Sequence, residues 1–135
     1  MRILAVSDVV EPILSDRFDA DWWKAQQVDL VVSCGDLPAE YLSLLVSAFN
    51  VPLFYVPGNH DGGYREAPPE GCDSIDGRLV TWNGLRIVGF GGSVWYNGGP
   101  EQYAEWQMEL RILRLKPFLW RPGHLDLVVT HSLRH

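Results

Sequence analysis

Residues 28–36 read Val-Asp-Leu-Val-Val-Ser-Cys-Gly-Asp, a short apolar run closed by Gly-Asp. Consecutive apolar positions rich in β-branched side chains are what a strand covered on both faces looks like. Three other stretches share the character: 2–7 (Arg-Ile-Leu-Ala-Val-Ser), 51–56 (Val-Pro-Leu-Phe-Tyr-Val) and 125–130 (Leu-Asp-Leu-Val-Val-Thr). Helical spacings lie between the first three. Phe18, Trp22 and Ala25 stand at i, i+4, i+7, and Leu42, Leu45, Val46 and Phe49 at i, i+3, i+4, i+7, so each segment has one face to bury. Strand, helix, strand, helix, strand predicts a βαβαβ opening, and with it an α/β fold on a parallel sheet with right-handed crossovers.

Downstream the pattern changes. Residues 62–77 are rich in Gly and Pro and predict a loop, and the runs 78–82 and 85–90 flank Asn83-Gly84, which predicts a β-hairpin with a two-residue turn. A second glycine-rich loop, 91–100, precedes a predicted helix whose Tyr103, Trp106, Leu110 and Leu113 share a face and which should stop before Pro117. Neither glycine-rich stretch of that loop matches a phosphate-binding loop or a dinucleotide fingerprint. Tight turns are one account of it; a wall of a substrate cleft presenting Ser93, Tyr96 or Asn97 is the other. Ser93 lacks the Gly-x-Ser-x-Gly elbow, so serine-hydrolase chemistry has no support.

Composition bounds the function. The 135 residues suit a single domain over 1–135, and 47% hydrophobic residues with six Trp exclude disorder. The net charge of -6 argues against a protein that grips nucleic acid through a broad basic surface. Residues 1–80 hold 13 acids against 5 bases, whereas 81–135 hold 4 against 6, so a cation is the natural partner of the first part. Cys34 and Cys72 stand in no metal or redox spacing and are expected to be reduced thiols. No leader pattern and no stretch of about 18 apolar residues is found, so a cytoplasmic protein without membrane association is expected.

Each apolar run ends by presenting a ligand-type side chain: Ser7-Asp8, Cys34-Gly35-Asp36, Pro57-Gly58-Asn59-His60 and Thr130-His131. In a parallel sheet the carboxyl ends of the strands share one rim, where open α/β folds place their sites. Asp36 has two carboxylate oxygens and can hold two cations, Asp8 would reach one of them, and Asn59 and His131 the other. Oxygen donors mixed with imidazole suit Mn, Fe, Zn or Co. Two such ions about 3.5 to 4 Å apart acidify a shared water and clamp a phosphoryl group. His60 could protonate the leaving oxygen or stabilise developing charge. Taken singly, each residue also has a structural account. Asp36 suits a helix opening near Pro38, Asn59 a turn, Asp8 a cap, and His131 a hydrogen-bonded strand end; only their joint appearance favours a metal site.

The ordered set Asp8, Gly35-Asp36, Gly58-Asn59-His60-Asp61 and Thr130-His131 resembles the calcineurin-like metallophosphoesterase superfamily. The resemblance implies two packed sheets flanked by helices and a metal-dependent phosphoric ester hydrolase. Its substrate would be a small phosphomonoester or phosphodiester, attacked by a hydroxide bridging two divalent ions, manganese first. It also implies that Asp8 binds the first metal, Asp36 bridges, Asn59 and His131 bind the second, and His60 serves catalysis. Two departures stand out. Many members have His where Val10 stands, with Glu11 as a candidate substitute ligand, and the family usually continues to a Gly-His-x-His block that these 135 residues do not contain. On that basis the last strands of the fold are expected to be missing, which would leave an apolar edge and favour a homo-oligomer. The alternative function is a phosphoesterase-like interaction module that binds metal weakly and catalyses nothing.

Overall fold

β2 (Leu30–Ser33) is the centre from which the fold is built, and all four of its residues are buried. The computed structural model describes residues 1–8, 20–58, 61–94, 102–103 and 125–131. β1 (Ile3–Val6) lies parallel to β2 with Ile3 opposite Leu30, and β3 (Leu53–Tyr55) lies parallel on its other side with Val31 opposite Leu53. α1 (Ala20–Ala25) and α2 (Ala39–Phe49) stand on the two crossovers, so the expected βαβαβ opening is present. A fourth parallel strand, β4 (Asp73–Ser74), extends this sheet beyond β3.

Alternation along the strands sends side chains to two cores. On one face Val6, Val31, Leu53 and Tyr55 meet Leu37, just ahead of α2, and Tyr41, Leu42 and Leu45 from its body. On the other, Leu30, Val32, Phe54 and Val56 meet Ile75 and, from the second sheet, Ile87 and Val129. Leu42 and Leu45 are fully buried, which places roughly 1.5–3 kcal/mol in each of these two side chains. α2 ends at Asn50, a left-handed cap (φ 53°, ψ 45°) whose N–H donates to the Val46 carbonyl at 2.8 Å.

The second sheet holds β5 (Arg78–Trp82), β6 (Leu85–Phe90) and β9 (Leu127–Thr130) in that order. β5 and β6 form the expected antiparallel hairpin, with Trp82 opposite Leu85. Asn83 and Gly84 both have positive φ (50° and 81°), the conformation a two-residue turn of this kind requires. β9 runs parallel to β6, with Ile87 opposite Leu127.

Three expectations are corrected. The run near 125–130 is a strand, but it joins the second sheet rather than the first, because Leu127 and Val129 share the inner face with Ile87. The stretch 62–77 is not loop throughout: it carries a 3-10 turn (Gly62–Arg65) and β4, held by backbone pairing rather than by side-chain character. Tyr103, expected on a helix face, lies in β8 (Gln102–Tyr103), paired in parallel with β7 (Ser93–Val94) inside the expected second loop. The rest of that helix, with Trp106, Leu110 and Leu113, falls outside the described residues.

Candidate metal centre

Three strands from two sheets deliver side chains to one point. Asp8 follows β1, Asp36 follows β2 two residues after Cys34, and His131 follows β9. Each offers a ligand atom, and these atoms all lie within 4.8 Å of one another. The convergence is a property of the sandwich as a whole, since His131 reaches it from the second sheet.

The backbone around the two aspartates is bent for the purpose. Asp8 and Asp36 both lie in the left-handed region (φ 64° and 60°), a conformation that costs a non-glycine residue free energy and that clusters at functional sites. The Asp8 N–H donates to the Gly35 carbonyl at 3.1 Å, and the Cys34 N–H to the Val6 carbonyl at 2.9 Å, so the β1 and β2 ends are laced together. The Ser7 hydroxyl donates to Oδ2 of Asp8.

Glycine is required at two points. Gly35 has φ 104°, and a Cβ there would lie 2.6 Å from the Gly58 nitrogen and 2.8 Å from Nδ1 of His131. A Cβ on Gly58 would lie 2.2 Å from Oδ1 of Asp36. The turns after β2 and β3 therefore touch backbone to backbone, with the Asp36 carboxylate in the seam.

His131 is oriented by its own hydrogen bond. Its Nδ1 lies 2.7 Å from the Cys34 carbonyl oxygen, which can only accept, so the Nδ1 proton points there. That leaves Nε2 facing Oδ2 of Asp36 at 3.1 Å. A bare ring nitrogen and a carboxylate oxygen repel at that distance, so a proton or a cation belongs between them. With the imidazole side chain 8% exposed and Asp36 13%, the pair is largely withdrawn from water. Two carboxylates and an oriented imidazole are a donor set that fits a divalent transition metal. The Cys34 thiol is not among these grouped ligand atoms; burial first, and the Asp8 carboxylate second, push its pKa up.

Asp36 does not serve as a helix cap. The N-cap of α2 is Pro38, no side chain caps that end, and the Asp36 carboxylate faces His131 instead. Asp61, quoted above only as the last residue of its motif, has a structural part in the site. Its Oδ2 accepts the N–H of Asp36 at 2.6 Å and that of Gly58 at 2.7 Å, and the residue is 6% exposed. Burial, the largest cause, raises the Asp61 carboxyl above its usual range, and those two N–H donors pull against it. Two residues of the same turn thus meet the metal-facing loop, because Tyr64 also donates its hydroxyl to the Leu37 carbonyl. An aspartate beside a Gly-Asn-His motif was the available signal for Asp61; nothing local marked Tyr64.

The other site residues expected from sequence, Asn59, His60, Glu11, Tyr96 and Asn97, lie outside the described residues, as does Val10. Ser93 is placed by its backbone in β7, without a described side chain.

The family model for calcineurin-like phosphoesterases matches residues 1–132. The chain belongs to that family. The calcineurin-like phosphoesterase match spans both sheets and every strand end that carries a candidate ligand. A search among curated proteins returned no match. Among the described residues, no helix is long and apolar enough to cross a membrane.

Proposed function

We propose that this chain hydrolyses a small phosphomonoester or phosphodiester with the help of two divalent ions, manganese first, with iron, zinc or cobalt as alternatives. One observation carries the metal site of this reading: Asp8, Asp36 and His131, far apart in sequence, offer ligand atoms within 4.8 Å of one another, close enough to share an ion. Membership of the calcineurin-like phosphoesterase family supports the reaction class. In this reading Asp8 would hold one ion, Asp36 both, and Asn59 and His131 the other, as the resemblance to the family implies. Bound there, such ions would lower the pKa of water and neutralise charge on the phosphoryl oxygens.

The remaining work falls to the chain. The Cys34 carbonyl keeps the His131 ring turned with Nε2 inward. Gly35 and Gly58 let the Asp36 carboxylate sit between two backbones, where no side chain of their own would block it. His60 gives a proton to the leaving oxygen. A soluble site away from membranes, in the cytoplasm, fits a small polar ester as substrate.

The test is the metal content of the purified chain by elemental mass spectrometry after Mn²⁺ loading and desalting, followed by turnover of p-nitrophenyl phosphate and bis(p-nitrophenyl) phosphate. Wild type should retain about two ions per chain. Asp36→Asn should retain none and hydrolyse neither ester, whereas His60→Gln should keep the metal and lose roughly 10²–10⁴ in rate. Unchanged turnover in Asp36→Asn would end this reading. Val10, where many family members have histidine, favours a second reading, a module that binds metal weakly and catalyses nothing. Metal lost on desalting, with no turnover of either ester in excess Mn²⁺, is its signature.

A further inference from the structure

We propose that Asp61 is a positioning residue that sets the conformation of Asp36, and through it the affinity of the centre for metal. The proposal rests on the assignment of Asp36 as a ligand and adds a residue that is not itself one. Asp61 stands in the turn after β3, whose Gly58 carbonyl accepts the Asp61 N–H at 3.1 Å. From that turn a single carboxylate oxygen, Oδ2, takes the N–H of Asp36 at 2.6 Å and of Gly58 at 2.7 Å. Both bonds are short and charge-assisted, and the side chain that makes them is withdrawn from water at 6% exposure.

The consequence is local. Asp36 has φ 60°, in the left-handed region, which costs free energy even for aspartate and which local hydrogen bonds help to hold. The Asp61 carboxylate holds its N–H, and the Tyr64 hydroxyl holds the carbonyl of Leu37, the next residue. Both restraints come from the turn after β3, so the Asp36 carboxylate is fixed relative to Gly58, whose Cα leaves no slack: a Cβ would strike Oδ1 of Asp36 at 2.2 Å. Without the Asp61 acceptor, the Asp36 N–H and the Gly58 N–H lose their common anchor. The Asp36 carboxylate can then swing away from Nε2 of His131, now 3.1 Å from it.

The experiment is manganese titration by calorimetry on the 135-residue chain, with the thermal midpoint of each metal-free variant beside it. Asp61→Ala should weaken manganese binding about 10- to 100-fold, the range of partners that orient a ligand without touching the ion. Asp61→Asn keeps a neutral oxygen in the same place and should fall between Asp61→Ala and wild type. A merely structural role would lower the midpoint and leave the affinity of the folded variant unchanged. Wild-type affinity in folded Asp61→Ala, with Asp36→Asn losing its metal, overturns the positioning role and leaves the ligand assignment standing. Wild type that binds no manganese overturns the ligand assignment and the positioning role with it. Should Asp61→Ala not fold, Asp61→Asn decides. Weaker binding with faster hydrogen exchange at the Asp36 amide supports the proposal, and wild-type values of both overturn it.

Discussion

Gly58 has no functional group, yet it decides whether Asp36 can do its work. The space a side chain would need is already filled by Oδ1 of Asp36, 2.2 Å from where a Cβ would stand. Gly58→Ala should therefore displace the Asp36 carboxylate or the turn after β3. We expect a loss of about 1–3 kcal/mol in urea unfolding, as for an overpacked core, together with loss of manganese in elemental analysis. Wild-type metal content in a stable Gly58→Ala would contradict the contact. At this scale part was legible: Gly-Asp and Gly-Asn-His-Asp at strand ends marked where ligand-type side chains gather, but not that the two turns touch around the Asp36 carboxylate. The part that His131 plays with the Cys34 carbonyl was not, because a hydrogen bond to a main-chain oxygen leaves no trace in the identity of the residue that offers it. The two left-handed aspartates were equally silent, since Asp is common in turns and caps for many reasons.

Among the elements, α2 shows what periodicity can and cannot tell. Leu42 and Leu45 were expected on the buried face and are fully buried, whereas Leu44, between them, is 43% exposed. Leu45→Ala should cost about 2–5 kcal/mol in chemical denaturation, and Leu44→Ala should stay within about 0.5 kcal/mol of wild type. Equal losses would mean that the face is wrongly assigned. The strands β2 and β3 were legible because both of their faces are covered, leaving uninterrupted apolar runs. β4 was not: Asp73 and Ser74 have little strand propensity, and the strand exists because Tyr55 and its neighbour supply the pairing, including an Ile75 N–H to Tyr55 carbonyl bond of 2.9 Å. Tyr103 misled for the opposite reason. An aromatic at helical spacing from later apolar residues fits a helix stripe, but two residues of backbone pairing with Val94 and Ser93 override that spacing.

At the scale of the molecule, four thiol and phenol groups among the described residues bind their protons more tightly when folded. Burial is the leading cause for Cys34, Tyr55, Tyr64 and Cys72, and it pushes the Cys72 thiol up to about 11 from its ordinary 9.0. The sign follows from linkage: above pH 9 the unfolded chain has released protons that the folded chain still holds, so unfolding is favoured as pH rises. Their contribution is fully present below pH 9 and is lost for Cys72 across the interval from 9.0 to about 11. The melting temperature by circular dichroism should fall between pH 8.5 and about pH 11; a flat profile would mean these groups are more exposed than described. The pairing of β9 with β6 has a consequence in time as well as in space. On a ribosome Asp8 and Asp36 emerge early and the first sheet can assemble around them, but the imidazole that faces Asp36 arrives only with the last strand described. A nascent chain halted before Leu127 carries the two carboxylates without the His131 imidazole that faces Asp36, so on the proposed ligand assignment tight metal capture waits for β9 to pair and does not accompany assembly of the first sheet.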